Sequence, residues 1–119
     1  MTLKNDGGSA KNIARNVATA MTEKQWLARL IQLAREDGWI TNHVCDQRAY
    51  ARRTTRGWPD LECLRERLIF IEAKRENGKV SADQQRIIAL LKAAGQEVYV
   101  WRPSDEDQAR VILHRRVRA

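Results

Sequence analysis

Three side chains suited to metal-assisted chemistry stand near the middle of the chain: Asp60, Glu72 and Lys74. Asp60 closes the run Gly57-Trp58-Pro59-Asp60. Glu72 and Lys74 flank Ala73 at the end of the apolar, β-rich run Leu68-Ile69-Phe70-Ile71, and Asn77-Gly78 ends the segment. Side chains alternate along a strand, so Glu72 and Lys74 share one face and Ala73 points to the other. A hairpin folded back at Glu66 sets Leu64 opposite Leu68, Glu62 opposite Phe70 and Asp60 opposite Glu72. Two carboxylates and an ammonium then converge at one end of the hairpin. Acids that close repel each other, and a cation between them removes the repulsion. The same spacing also describes two surface acids and a lysine at a frayed strand end, because short charged patterns recur by chance.

The elements that must position these groups are legible on either side. Thr22-Glu23-Lys24-Gln25 is a capping box that opens a helix over 23–36, which stops near Gly38. Trp26, Leu27, Leu30, Ile31 and Ala34 form its apolar stripe at helical spacing. Glu23 lies three, four and seven residues before Trp26, Leu27 and Leu30, at the top of that stripe. An acid there stabilises the helix dipole, or it points along the core face into a site. Residues 39–45 read as a strand with Ile40 and Val44 as its apolar positions, and His43 lies within it as a structural or groove-lining residue. Ser81-Ala82-Asp83-Gln84 is a second capping box, opening a helix over 82–94 that ends at Gly95. Ile87, Ile88, Leu90 and Leu91 supply its core contacts. Gln84 has a complete local explanation as the third helical residue of that box, and a site role requires its side chain to leave the cap. Glu97 to Trp101 is a further strand, stopped by Pro103. Ser104 then caps a last helix with an acidic first turn (Asp105, Glu106, Asp107) and a basic end (Arg115, Arg116, Arg118). The order is helix, three strands, helix, strand, helix: a mixed α/β layer around one sheet.

The 119 residues suit one domain with a modest core. Residues 1–20 hold Gly7-Gly8 and few large apolar groups, and read as a flexible extension before a domain over 21–119. Ile13 and Val17 make a short helix possible within it. The chain carries 22 Lys and Arg against 15 Asp and Glu, a net charge of +7, which favours an acidic partner and nucleic acid first. Arg48, Arg52, Arg53 and Arg56 surround Tyr50 in the segment leading into Asp60, a pattern that suits phosphate contacts with an aromatic to stack on a base. A solvated basic loop has the same composition. Arg75 and Lys79 make the turn after Lys74 basic as well. No apolar run approaches the ~20 residues of a membrane span. The N-terminus lacks an apolar signal core, so a cytoplasmic location is expected. Cys45 and Cys63 form no Cys-x-x-Cys pair and point to neither zinc nor a disulfide framework.

Taken together, a helix-borne acid, the Gly-Trp-Pro-Asp turn, Ile-Glu-Ala-Lys, the Ser-Ala-Asp-Gln-Gln helix start and Ala93 to Asp105 resemble the PD-(D/E)XK nucleases. The closest resemblance is to small stand-alone VRR-NUC domains, and it covers roughly residues 22–105. It implies a restriction-endonuclease-like core in the order αβββαβα, with a central mixed sheet flanked by helices. It implies Asp60 and Glu72 as ligands of Mg²⁺ or Mn²⁺, assisted by the Ala73 carbonyl, with Glu23 completing the shell through water. Lys74 would position or activate the attacking water and steady the phosphate, and Gln84 would line the site from the second helix. The expected activity is metal-dependent endonucleolytic cleavage of DNA, at Holliday-type or other branched junctions, by a homodimer. Flaps, ends or nicked duplex are alternative substrates, and a non-catalytic DNA-binding module on the same fold is the alternative outside the enzymes. No organic cofactor is implied.

Overall fold

The computed structural model describes residues 16–44 and 55–117. Helix α1 (Glu23–Glu36) is followed by β1 (Ile40–His43), β2 (Leu61–Leu64), β3 (Leu68–Ala73), α2 (Ala82–Ala93), β4 (Glu97–Trp101), a 3₁₀ turn (Pro103–Asp105) and α3 (Glu106–His114). A short helical stretch at 16–20 precedes α1. The four strands form one mixed sheet in the order β1-β2-β3-β4. β1–β2 and β2–β3 are antiparallel, and β3–β4 is parallel. A parallel pair needs a crossover, and α2 is that crossover.

The hairpin has the expected register: Leu64 opposes Leu68 and Glu62 opposes Phe70. The ladder ends at Leu61 opposite Ile71, which leaves Asp60 one residue past it, level with Glu72. Alternation then sorts the side chains between two layers. Ile69, Ile71 and Ala73 face one way and pack with Trp26, Leu30, Leu33 and Ala34 of α1 and Ala109, Ile112 and Leu113 of α3. Phe70 faces the other way and packs with Val98 and with Ile88 of α2. The described residues therefore form an α/β fold with a four-stranded mixed sheet flanked by helices. Among the described residues, no helix is long and apolar enough to cross a membrane.

Both capping boxes form. The Thr22 hydroxyl accepts from Gln25 N at 3.0 Å, and Gln25 Oε1 accepts from Thr22 N at 2.8 Å. At α2 the Ser81 hydroxyl accepts from Gln84 N at 3.1 Å. Several local expectations give way to packing. The strand after α1 begins at Ile40, which is 69% exposed, while Trp39 is buried and its indole N–H donates to Leu113 O at 2.9 Å. The reason is that α2 packs over β3 and β4. Ile40, Leu64 and Leu68 lie in one row on the α2 side of the sheet, beyond the apolar cluster that α2 joins, and all three are exposed. Leu33 is a core residue of α1 outside the expected stripe, whereas Leu90 of α2 points outward. Ser104 does not cap the last helix: its N–H donates to Glu76 Oε1, and Asp105 Oδ2 accepts from Arg102 N at 2.8 Å. That helix ends at His114, so Arg115 and Arg116 lie beyond it.

The hairpin tip does structural work that local patterning does not show. Arg65 donates to the carbonyls of Asp37, Leu113 and Arg115, and Arg67 to those of Ile112 and Arg115. Both guanidinium groups lie over the Trp39 ring, at 4.2 and 5.0 Å from its centroid. Carbonyls at the α3 C-terminus that helix geometry leaves unpaired are satisfied by two half-buried arginines.

Candidate metal centre at the open end of the hairpin

Asp60 reaches its position through a short, rigid approach. Gly57 has φ +87°, a left-handed conformation that side chains rarely adopt. A Cβ there would lie 2.3 Å from Asp83 O and 2.7 Å from Gln84 N, so the chain crosses the first turn of α2 at a distance only glycine permits. Trp58 packs edge-on against Phe70 with ring centroids 6.1 Å apart, and its indole N–H donates to Glu62 Oε2 at 3.0 Å. Pro59 is fully buried. The Asp60 carboxylate then turns to the end of β3, where Oδ2 accepts from Ala73 N at 3.1 Å.

Glu72 is 1% exposed, an unusual place for an acid. Its Oε2 accepts from Gln84 Nε2 at 3.0 Å. Its Oε1 is buried and has no donor among the described residues. Burial, reinforced by the neighbouring Asp60 charge and a carboxyl–carboxyl hydrogen bond, pushes Glu72 up to about 9. Burial also raises Asp60, against the hydrogen bonds from Glu72 and the Ala73 amide. The two acids thus compete for one patch of low-dielectric space, and the pair is stable only with a shared proton or a cation.

Lys74 is 8% exposed and lies just beyond β3. Its ammonium stands 3.9 Å from Glu72 Oε2 and 3.7 Å from Glu23 Oε1. Its backbone N–H donates to Trp101 O at 3.0 Å, and the Trp26 indole N–H donates to the same carbonyl at 2.8 Å. The core thus anchors the lysine backbone from both α1 and β4. Glu23 is half-exposed at the start of α1 and meets the site through this lysine.

Gln84 corrects the sequence expectation. Its side chain stays in the cap, with Oε1 accepting from Ser81 N at 2.8 Å, while its NH₂ group donates to Glu72. An amide has an acceptor end and a donor end, and each is used once. Asp60, Glu72, Lys74, Glu23 and Gln84 are therefore brought to one place by β2, β3, α1 and α2.

Among the described residues, no group of three or more His, Cys, Asp and Glu side chains is arranged to hold a metal ion. Asp60 and Glu72 form a two-carboxylate site, and Glu23 stands across Lys74 from it. The residues nevertheless fit a hard divalent cation. Oxygen donors converge, the buried Glu72 Oε1 receives no donor from the described residues, and among those residues no His or Cys competes. A cleft of about 580 Å³ lies elsewhere, lined by Met21, Trp26, Glu76, Pro103, Glu106 and Asp107, among others.

Of the basic residues expected to meet phosphate, Arg56, Arg75 and Lys79 are exposed. Arg48, Tyr50, Arg52 and Arg53 lie outside the described residues, as do Cys45, Ile13 and Arg118. His43 is exposed on β1. Arg102 had no assigned role in the sequence. Its guanidinium closes the turn after Lys74 by donating to the carbonyls of Arg75, Glu76 and Gly78. Comparison with family models, curated proteins and solved structures finds no match to the chain.

Proposed function

We propose that the chain is a Mg²⁺- or Mn²⁺-dependent endonuclease with a PD-(D/E)XK core of the VRR-NUC type, acting as a homodimer on Holliday-type or other branched DNA. The observation that carries this reading is Glu72: buried, with one oxygen lacking a donor among the described residues, beside Asp60 and 3.9 Å from the Lys74 ammonium. Surface acids at a frayed strand end would be solvated and would show none of this.

Asp60 and Glu72 would hold the cation, with the Ala73 carbonyl and, through water, Glu23 completing its surroundings. A cation bound there supplies Lewis-acid polarisation of a phosphoryl oxygen and makes water a better nucleophile at neutral pH. Lys74 contributes a fixed positive charge where the phosphorane-like oxygens gain negative charge, and its partial burial strengthens that interaction. Glu23 and Glu72 hold the ammonium between them, so its position is set before substrate arrives. Gln84 fixes the Glu72 carboxylate from the side opposite its open oxygen. Arg48, Arg52, Arg53, Arg56, Arg75 and Lys79 supply phosphate contacts that ignore sequence, with Tyr50 for stacking. This favours recognition of DNA shape over base readout.

The deciding experiment is a panel of labelled four-way junction, flap, nicked and intact duplex DNA incubated with Mg²⁺ or Mn²⁺. Junction cleavage that disappears in Asp60→Ala and Lys74→Ala is expected. Cleavage that survives either substitution would sink the mechanism. Binding of DNA with no cleavage in any metal would leave a non-catalytic module.

A further inference from the structure

The Gln84 amide spans two tasks that sequence reasoning treated as exclusive, and this arrangement determines how Glu72 is presented. Ser81 N–H donates to Gln84 Oε1, so the amide has one orientation, with its NH₂ group aimed at Glu72 Oε2. The backbone of Gln84 is itself held. Its N–H donates to the Ser81 hydroxyl, and the 83–84 peptide is in close contact with Gly57, on the segment that carries Asp60. One oxygen of Glu72 is therefore occupied by a donor whose orientation the cap sets, and the other, Oε1, has no donor among the described residues.

We propose that Gln84 is a positioning residue that acts through Glu72. It holds Oε2, the oxygen that also meets the Lys74 ammonium at 3.9 Å, and leaves Oε1 as the oxygen without a donor and available to a cation, with the α2 cap and the Gly57 contact holding the amide in register. The inference rests on the metal-site reading above and goes beyond it by assigning the two Glu72 oxygens different roles. It also separates Gln84 from DNA. A residue that lined the groove to touch phosphate would act on DNA affinity, whereas one that aligns a carboxylate acts on metal affinity and on turnover.

Two substitutions separate the cap from the alignment. Gln84→Glu keeps an acceptor for Ser81 N–H, since glutamate is a natural capping-box residue, but it faces Glu72 with an oxygen instead of a donor. Gln84→Met keeps the length and removes both ends. Mn²⁺ titration calorimetry on the full chain is the primary readout, with kcat, KM and junction affinity in Ca²⁺ alongside. Loss of an interaction behind a metal ligand typically weakens metal affinity or activity by ~10–100-fold. Both variants are expected to show a loss of that size in Mn²⁺ affinity and in kcat, with junction affinity within about twofold of the parent. Parent-like Mn²⁺ affinity in Gln84→Met would overturn the inference and leave the metal site standing. A variant that loses junction affinity at unchanged Mn²⁺ affinity would reassign Gln84 to the DNA interface. A parent chain that binds no Mn²⁺ would remove the metal-site reading, and this inference with it.

Discussion

Gly57→Ala tests whether the Asp60 turn and the start of α2 are one mechanical unit. The added methyl would sit 2.3 Å from Asp83 O, 2.4 Å from its carbonyl carbon and 2.7 Å from Gln84 N. Cβ atoms essentially never approach other atoms closer than 3.0 Å, so the two segments must separate by at least 0.7 Å. All three atoms are backbone, so no side chain can swing aside. Holding an L-residue at φ +87° costs a further ~1–2 kcal/mol, and forcing a packed contact apart costs ~1–3 kcal/mol. The combined destabilisation corresponds to a melting temperature lower by roughly 10–25 °C. The displacement cannot be absorbed between Gly57 and Asp60, because Pro59 is fully buried and Trp58 is pinned to Phe70 and Glu62. Either Asp60 or Gln84 must move. A misplacement near 1 Å is enough to cost ~100-fold in rate. The assay is thermal unfolding by circular dichroism, together with Mn²⁺ calorimetry at a temperature well below the new midpoint. A variant that melts within ~3 °C of the parent and binds Mn²⁺ equally would refute the reasoning.

Three further outcomes are expected, two from the structure and one from the basic segment of the sequence. The raised pKa values of Glu72 and Asp60 give stability that is present below the ordinary carboxylate range near 4.5 and lost as pH rises toward about 9. The melting temperature of metal-free protein should therefore fall between about pH 5 and pH 9, Glu72→Gln should flatten that slope, and the stabilisation by Mg²⁺ or Mn²⁺ should grow with pH; a flat profile for the parent would count against a buried acid pair. Arg65→Met removes bonds from a charged donor to the carbonyls of Asp37, Leu113 and Arg115, each of order 1.5–3 kcal/mol. It should lower the melting temperature by at least ~10 °C while leaving Mn²⁺ affinity in the remaining folded protein unchanged, and altered metal affinity would contradict the separation of clamp from site. Replacing Arg52 and Arg53 together by alanine should weaken junction binding and reduce the slope of log affinity against log salt by up to ~1.8; an unchanged slope would remove them from the interface.

Much of the fold was legible because local rules and tertiary packing agree. Thr22 and Ser81 begin helices where their hydroxyls can accept an orphan N–H, and both capping boxes form. The apolar run Leu68 to Ile71 is β-rich and forms a strand that is buried from Ile69 onward, and its alternation set Phe70 against α2 and Ile69 and Ile71 against α1 and α3. Where prediction and structure part, the cause is coverage. Ile40 and Leu90 carry apolar side chains on elements whose outer faces no described neighbour covers, and hydropathy does not report which face a neighbour will cover. Trp39 fails in the opposite direction. It joins the core because Arg65 and Arg67 from a distant hairpin close over its ring.

The sequence alone determined which residues are chemically equipped and how they are phased. Alternation put Glu72 and Lys74 on one side of a strand, and the hairpin register put Asp60 level with Glu72. These are short-range consequences of strand geometry and turn length. Only the tertiary structure decided what each group experiences. Burial of Glu72 to 1%, the missing donor at its Oε1, the 3.7 Å approach of Glu23 to Lys74 and the two-ended use of Gln84 all depend on α1 and α2 closing over the sheet end from opposite layers. Desolvation and hydrogen bonding are properties of a surrounding, and residues far apart in the chain supply that surrounding.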